Sequence, residues 1–403
     1  MKKEKIVFMV ISMNVGGTEK SLLNLISTLP REKYDISLLL LENRGGFLNA
    51  IPEDVEIIHF EGLKELAKQL KTPPKQMILQ LYSDIKLIKA TKLLFLNIIL
   101  KLTKDKGTYF KSLLKKHPKL NREFDIAVAY AGPMDFISYF VVNKIKAKKK
   151  VQWIHFDVTK VGFDQRFANR IYKNFDKIFV VSQEGKIKLE ETMPGVKEQI
   201  EVFPNQVSTK DIRHYAYIGK GFQDSIEGVR ILTVGRLAKE KGQDLAIKVL
   251  AKLIEEGCNV KWYCLGEGEA RKQYETLIKE FKIQDDFILL GSDPNPYAYI
   301  SQCDIYVQPS LHEGYCITLA EARLLSKPIV TSDFTGAREQ IRNEETGLIV
   351  CADEEAIYTG VKRLVEDKDL REKFTDNLKQ QTSCQTTLTN DYFTRDRITD
   401  KAI

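Results

Sequence analysis

The sequence predicts an α/β protein built of two similar halves, each a parallel sheet wound with helices. Three observations point there. An apolar strand, a glycine loop and an amphipathic helix open the chain over Lys5–Leu29, and the same succession starts again at Arg230. Between the halves, from Gln206 to Gly228, the pattern lapses into polar and turn-forming residues that mark a boundary. The length, 403 residues, lets each half bury a core of its own.

In the first half, Lys5–Ser12 reads as a strand, Met13–Glu19 as a glycine loop and Lys20–Leu29 as a helix with Leu22, Leu25, Ile26 and Leu29 on one face. Such a unit sets bare backbone N–H groups at the carboxyl edge of a parallel sheet, where phosphorylated ligands bind. A dinucleotide fold would want Gly-x-Gly-x-x-Gly here; only Gly16 and Gly17 are present, which weakens a nicotinamide reading and leaves a plain tight turn as the alternative. Further strands are expected at Ile36–Leu41, Val55–Phe60, Asp125–Tyr130, Val151–His155 and Phe175–Ser182. His155, at a strand's carboxyl end, either points into a cleft and titrates near neutrality or serves as a core histidine.

The second half offers strands at Arg230–Gly235, Val260–Gly266, Phe287–Gly291, Asp304–Val307, Lys327–Ser332 and Leu348–Val350. Arg236 ends its first strand and Lys241 precedes the helix from Gln243. Two cations beside a helix start can compensate the charge of a nucleoside diphosphate; otherwise they are solvated loop charges. Pro309–Ala322 then runs from strand through a glycine-containing loop into a helix expected at Ala320–Ser326. It carries Glu313 and Glu321. On one helix these would stand about 80° apart, but with Glu313 on the loop both can face one hydroxyl-rich ligand. Thr318-x-x-Glu321 is also a capping-box pattern, which would spend Glu321 on a backbone donor.

The second half resembles retaining glycosyltransferases of family 4, which have the GT-B fold. The resemblance rests on the Glu-x7-Glu pair Glu313 and Glu321, on Val234–Gly242, Lys327–Asp333, Gly336–Glu339 and Glu345–Val350, in the family's order over roughly 230–350. Gly16-Gly17-Thr18-Glu19 resembles the family's N-terminal loop. The resemblance implies two Rossmann-like domains facing across a cleft: 1–205 on the acceptor side, with a basic helical insertion at about 64–120, and 206–375 on the donor side. In the family the chain commonly ends by crossing back to the first domain. Here a helix fits Leu370–Gln380, but the β-branched, polar Thr382–Thr387 makes the tail, 376–403, depart from that pattern.

The resemblance also implies roles. Glu313, His155, Arg236 and Lys241 are the candidate catalytic residues. Donor contacts fall to Gly16, Gly17, Arg236, Lys241, Leu289, Leu290, Glu313, Gly314, Tyr315, Cys316, Ile317, Thr318 and Glu321, with the strand end at Leu289 and Leu290 reading the base through backbone groups. No cofactor or metal is expected: the only Asp-x-Asp, Asp367-Lys368-Asp369, reads as a helix start in a charged stretch.

Charge is uneven. Residues 1–200 hold 35 Lys and Arg against 22 Asp and Glu; the remainder holds 27 against 33. The segment 64–120 alone has 14 lysines and three acidic residues. Read as one helix over 75–104, it places Lys75, Lys86, Lys89, Lys101 and Lys104 within an arc of about 120°, apolar residues opposite. That pattern suits an anionic membrane surface or, more plainly, a solvated lysine face. No recognition motif or aromatic interleaving favours nucleic acid. The apolar run after the N-terminal lysines spans six residues without a cleavage site, so it reads as a buried strand, and no run has the length of a membrane span. Six cysteines without a Cys-x-x-Cys pair read as reduced thiols.

The expected function is a retaining, metal-independent transfer of a hexose-type sugar from a nucleotide sugar, a UDP-sugar foremost, to a glycan or lipid-linked acceptor in cell-surface polysaccharide synthesis. The protein would work in the cytoplasm, peripheral on the inner face of the plasma membrane. A catalytically inactive nucleotide-sugar-binding partner of another transferase, and an epimerase or hydrolase on the same scaffold, are the alternatives.

Overall fold

The computed structural model describes residues 2–385 apart from 61, 63–65, 68–69, 71, 73, 84–86, 104–105, 116 and 133. The chain divides into two compact units. Met1–Asn14, Leu29–Val181 and Gly185–Pro204 form one; Val15–Thr28, Ser182–Glu184 and the chain from Asn205 form the other.

The first unit holds a seven-stranded, all-parallel sheet in the order β3-β2-β1-β4-β5-β6-β7. Its strands are β1 Glu4–Val10, β2 Tyr34–Leu40, β3 Glu56–Ile58, β4 Glu123–Gly132, β5 Lys146–Ile154, β6 Lys177–Val180 and β7 Ile200–Val202. The inner strands are apolar without alternation because a parallel sheet is covered on both faces, and Ile6–Met9 are fully buried.

The basic segment differs from the single helix expected. Where one helix was expected over 75–104, the described residues form two, Pro74–Ser83 and Leu87–Thr103, which pack on one another, and a third, Lys106–Leu114, follows. The 120° arc, drawn about one axis, therefore does not apply. Lys75 is exposed; Lys86 and Lys104 lie outside the described residues, as do the side chains of Lys89 and Lys101.

The second unit holds a six-stranded parallel sheet in the order β10-β9-β8-β11-β12-β13. Its strands are β8 Val229–Val234, β9 Val260–Leu265, β10 Phe287–Gly291, β11 Ile305–Gln308, β12 Ile329–Ser332 and β13 Leu348–Val350. From β8 the chain winds outward through β9 and β10, then returns to lay β11 on the other side of β8. The β8/β11 junction is thus the switch point of a doubly wound sheet, where the loops diverge and leave a crevice at the carboxyl ends.

Two features of this unit were not expected. Thr209–Ile218 is helical, capped by Ser208, whose hydroxyl accepts from the Asp211 N–H at 3.2 Å. The last helix runs from Lys368 to Gln385, beyond the expected Gln380, with Leu370 and Phe374 in the second unit's core; residues 386–403 lie outside the described residues. Asp367 accepts from the Leu370 N–H at 2.8 Å, so this aspartate caps a helix.

Candidate active site

The loops after β8 and β11 carry most of the candidate residues. The Leu237 N–H donates to Glu267 O at 3.1 Å, fixing the first of them to the loop after β9, and the Leu311 N–H donates to Glu240 O at 2.8 Å, tying the two together. Gly242 makes the second tie possible: it has φ +69°, and a Cβ there would lie 2.0 Å from the Pro309 carbonyl oxygen. No other residue type fits that turn.

At this junction Lys241 Nζ donates to Glu313 Oε1 at 2.6 Å, joining residues 72 apart in sequence. Both side chains are largely buried, 20% and 8% exposed. Burial works against the lysine's charge, but the neighbouring Glu313 carboxylate outweighs it and holds the ammonium above its ordinary range. Arg236 is different: its side chain is 63% exposed and donates to Glu240 Oε1 at 2.6 Å.

After Glu313 the chain passes Gly314 and Tyr315 and reaches Cys316 in the left-handed region, φ +54°. This backbone turn, which costs a non-glycine residue energy, starts the helix Ile317–Leu324 three residues earlier than expected. The first N–H groups of that helix have no partner within it. Gly314 O accepts from Ser182 Oγ at 3.0 Å, and Tyr315 O accepts from the Gln340 amide.

The capping box does not form. Thr318 lies inside the helix, its hydroxyl 3.3 Å from both Val234 O and Gln308 Oε1. Glu321, 2% exposed, instead accepts from the Tyr297 hydroxyl at 2.9 Å. Burial pushes its carboxyl up to about 7, against the pull of Lys20 and Tyr297.

Residues after β1 join the same unit. Gly17 begins the helix Gly17–Thr28, and a Cβ there would lie 3.6 Å from Ile317 Cγ2. A Cβ on Gly16 would meet Glu19 Oε2 at 2.7 Å. The same helix is tied by Ser21 Oγ to Asn205 Oδ1 at 2.6 Å, and Lys20 Nζ stands 5.2 Å from the Tyr297 ring centroid. Glu19, half-buried, is pushed up to about 7 by desolvation, with its own N–H and Arg236 pulling the other way.

Leu289 pairs in register with Cys264 on β9, after which the register slips and Leu290 sits at the irregularity before Gly291. His155 belongs to the first unit. Its expected titration near neutrality is corrected: it is 6% exposed, and burial pushes it down to about 3, so it is neutral at physiological pH. Its ring centroid lies 4.5 Å from that of Tyr130, and its Nε2 is buried with no partner among the described residues.

Arg236, Lys241, Glu313, Glu321 and the start of the 317–324 helix thus converge on one sheet edge. Sequence reasoning missed Tyr297, Gln308 and Ser310, the side chains that hold the two glutamates. Tyr297 carries no local signal; Gln308 and Ser310 had one, polar residues at the exit of a buried strand.

Residues 226–381 match the family described as glycosyl transferases group 1. Over 379 residues the chain is 27% identical to the N-acetylgalactosamine-N,N'-diacetylbacillosaminyl-diphospho-undecaprenol 4-alpha-N-acetylgalactosaminyltransferase of Campylobacter jejuni, covering 93% of this chain and 94% of that one. It is 30% identical over 149 residues to the capsular polysaccharide biosynthesis glycosyltransferase CapM of Staphylococcus aureus, covering 34% and 37%. Among solved structures, Anabaena HepE in complex with UDP-glucose superposes with TM-score 0.66 at 17% identity, over 97% of this chain and 98% of that one. WaaG, a glycosyltransferase involved in lipopolysaccharide biosynthesis, gives 0.58 at 15%, over 94% and 95%. At such identities the likeness shows the fold, which is GT-B.

Proposed function

We propose that the chain, whose residues 226–381 match the glycosyl transferases of group 1, is such an enzyme and transfers a hexose-type sugar from a UDP-sugar, with retention, to a lipid-linked or glycan acceptor in cell-surface polysaccharide synthesis. The observation that carries this reading is the Lys241–Glu313 pair at the β8/β11 switch point, beside the start of the 317–324 helix. Arg236, Lys241 and the N–H groups of Ile317 and Thr318 would receive the diphosphate, supplying without a metal the positive charge that the departing group needs. Glu313 would orient the transferred sugar, Glu321 the ribose, and Gly17 would leave room for the phosphates. The bond from the anomeric carbon to the β-phosphate oxygen breaks, and the acceptor oxygen bonds to that carbon on the same face. The acceptor proton passes to the leaving phosphate. The galactosaminyltransferase relative, whose name includes an undecaprenol-linked substrate, supports the acceptor class.

A thermal-shift screen over UDP-, GDP-, ADP- and dTDP-sugars tests the donor. Ligand at 100 times its dissociation constant stabilises by ~2.7 kcal/mol, and UDP-sugars should give the largest shift. NMR of the product should then show the donor's anomeric configuration; an inverted product ends the retaining reading, and free sugar or an isomerised nucleotide sugar ends the transfer reading.

Membrane docking belongs to the same proposal. Among the described residues no helix is long and apolar enough to cross a membrane. Leu79, Leu87, Ile88 and Phe95 are nonetheless more than half exposed on the two helices of the lysine-rich segment. Apolar side chains beside many lysines suit the boundary of an anionic bilayer. The protein should co-float with phosphatidylglycerol vesicles and not with neutral ones, and charge reversal at Lys86, Lys89, Lys101 and Lys104 should abolish it. Unchanged flotation of that variant refutes the surface.

A further inference from the structure

Behind Glu313 stands a file of polar side chains for which the proposed chemistry has no role. Tyr306, Gln308 and Ser310 follow one another at every second position along β11 and its exit, so they share a face of the sheet. All three are 0% exposed. Tyr306 Oη donates to Gln308 Oε1, Gln308 Nε2 donates to Ser310 Oγ, and Ser310 Oγ donates to Glu313 Oε1, each at 2.8 Å.

The direction of this file is set by chemistry. An amide nitrogen can only donate, so Ser310 must accept from Gln308, and its one proton is left for Glu313. With the amide reversed, the Gln308 and Glu313 oxygens would compete for that one proton, and whichever lost it would face the Ser310 oxygen at 2.8 Å with no hydrogen between them. Glu313 Oε1 thereby receives two donors, Ser310 and Lys241. Gln308 Oε1 also lies 3.3 Å from the Thr318 hydroxyl, at the helix start that would meet the diphosphate. One buried amide therefore touches both ends of the site.

We propose that Gln308 and Ser310 are positioning residues that hold Glu313 Oε1 on Lys241 and leave Oε2 as the carboxylate oxygen offered to the ligand. That oxygen can only accept, so the group it takes is a hydrogen-bond donor such as a sugar hydroxyl, and a group that only accepts is refused. The inference rests on the reading of Glu313 as the sugar-orienting residue.

The test pairs apo crystal structures with calorimetric titration of UDP, UDP-glucose and UDP-N-acetylgalactosamine into the full chain and its Ser310→Ala, Ser310→Thr and Gln308→Met variants. In Ser310→Ala the Glu313 carboxylate should keep Lys241 but turn about its Cγ–Cδ bond, so that Oε2 is no longer held out to the ligand, and affinity for the UDP-sugar that wild type prefers should fall about tenfold while affinity for UDP stays within twofold. Ser310→Thr, which keeps the hydroxyl, should restore both. Gln308→Met, which removes the donor that holds the Ser310 hydroxyl but leaves Glu313 as its acceptor, should give a smaller loss of the same kind and serves if Ser310→Ala fails to fold. A Glu313 carboxylate in its wild-type orientation in Ser310→Ala overturns the inference, as does an equal loss of UDP and UDP-sugar affinity. If wild type binds none of the three nucleotides while the Glu313 carboxylate still turns in Ser310→Ala, the functional reading fails and the positioning role stands.

Discussion

Lys241→Ala should cost the second unit about 3–5 kcal/mol and abolish donor turnover together. The reason lies in the burial of its partner: with the ammonium gone, the Glu313 carboxylate, 8% exposed, keeps the Ser310 hydroxyl but no counter-charge. Removing one half of a buried ion pair is far more damaging than replacing both halves with neutral groups of similar volume. The double variant Lys241→Met/Glu313→Gln should therefore recover most of the lost stability while remaining inactive. Chemical unfolding followed by tryptophan fluorescence, read beside UDP release, checks both statements. Trp262, fully buried in this unit's core, is a suitable reporter. A stable Lys241→Ala protein would mean that the pair carries no structural weight, and an active double variant would take it out of the chemistry.

Arg236→Ala should behave in the opposite way. Its side chain is exposed and its ion pair with Glu240 is of the surface kind, worth ~0–1 kcal/mol at most, so the melting temperature should hardly change. If Arg236 meets charge that develops on the leaving diphosphate, its removal should slow transfer by about 10²–10³-fold, the usual effect of deleting one preorganised donor. Arg236→Lys should recover part of the rate, since a point charge replaces a planar fork. Steady-state kinetics with the donor found by the screen decides it, and a loss below tenfold would place Arg236 outside the reacting centre.

The sheets were readable because parallel strands covered on both faces are short apolar runs, and Ile6–Val10, Ile231–Val234 and Ile305–Val307 each stand between turn residues. The switch-point loops were readable for a related reason: glycines and charged residues after such runs have few structural uses. Elsewhere local pattern misled. The helix Thr209–Ile218 fully buries only Ile212, packs Ala216 beside it and leaves Tyr217 and Ile218 exposed, so its apolar stripe is short, and its clearest signal was the Ser208 cap. The basic segment has helical periodicity throughout, and periodicity does not say where a helix folds back on itself. Thr318-x-x-Glu321 imitates a cap, but the left-handed turn at Cys316 starts the helix earlier and frees both side chains for other partners. Sequence could not choose between the two readings of His155's titration, because desolvation by Tyr130 and Trp153, which sets its protonation, is a property of packing.

Arg236 and Lys241 each own a resident anion, Glu240 and Glu313. On the proposed reading an arriving diphosphate would exchange partners with the loops instead of filling an electrostatic void. When the spent nucleotide departed, both side chains would have a carboxylate to fall back on, leaving neither bare to hold the product in place. A site furnished in this way trades tightness for turnover.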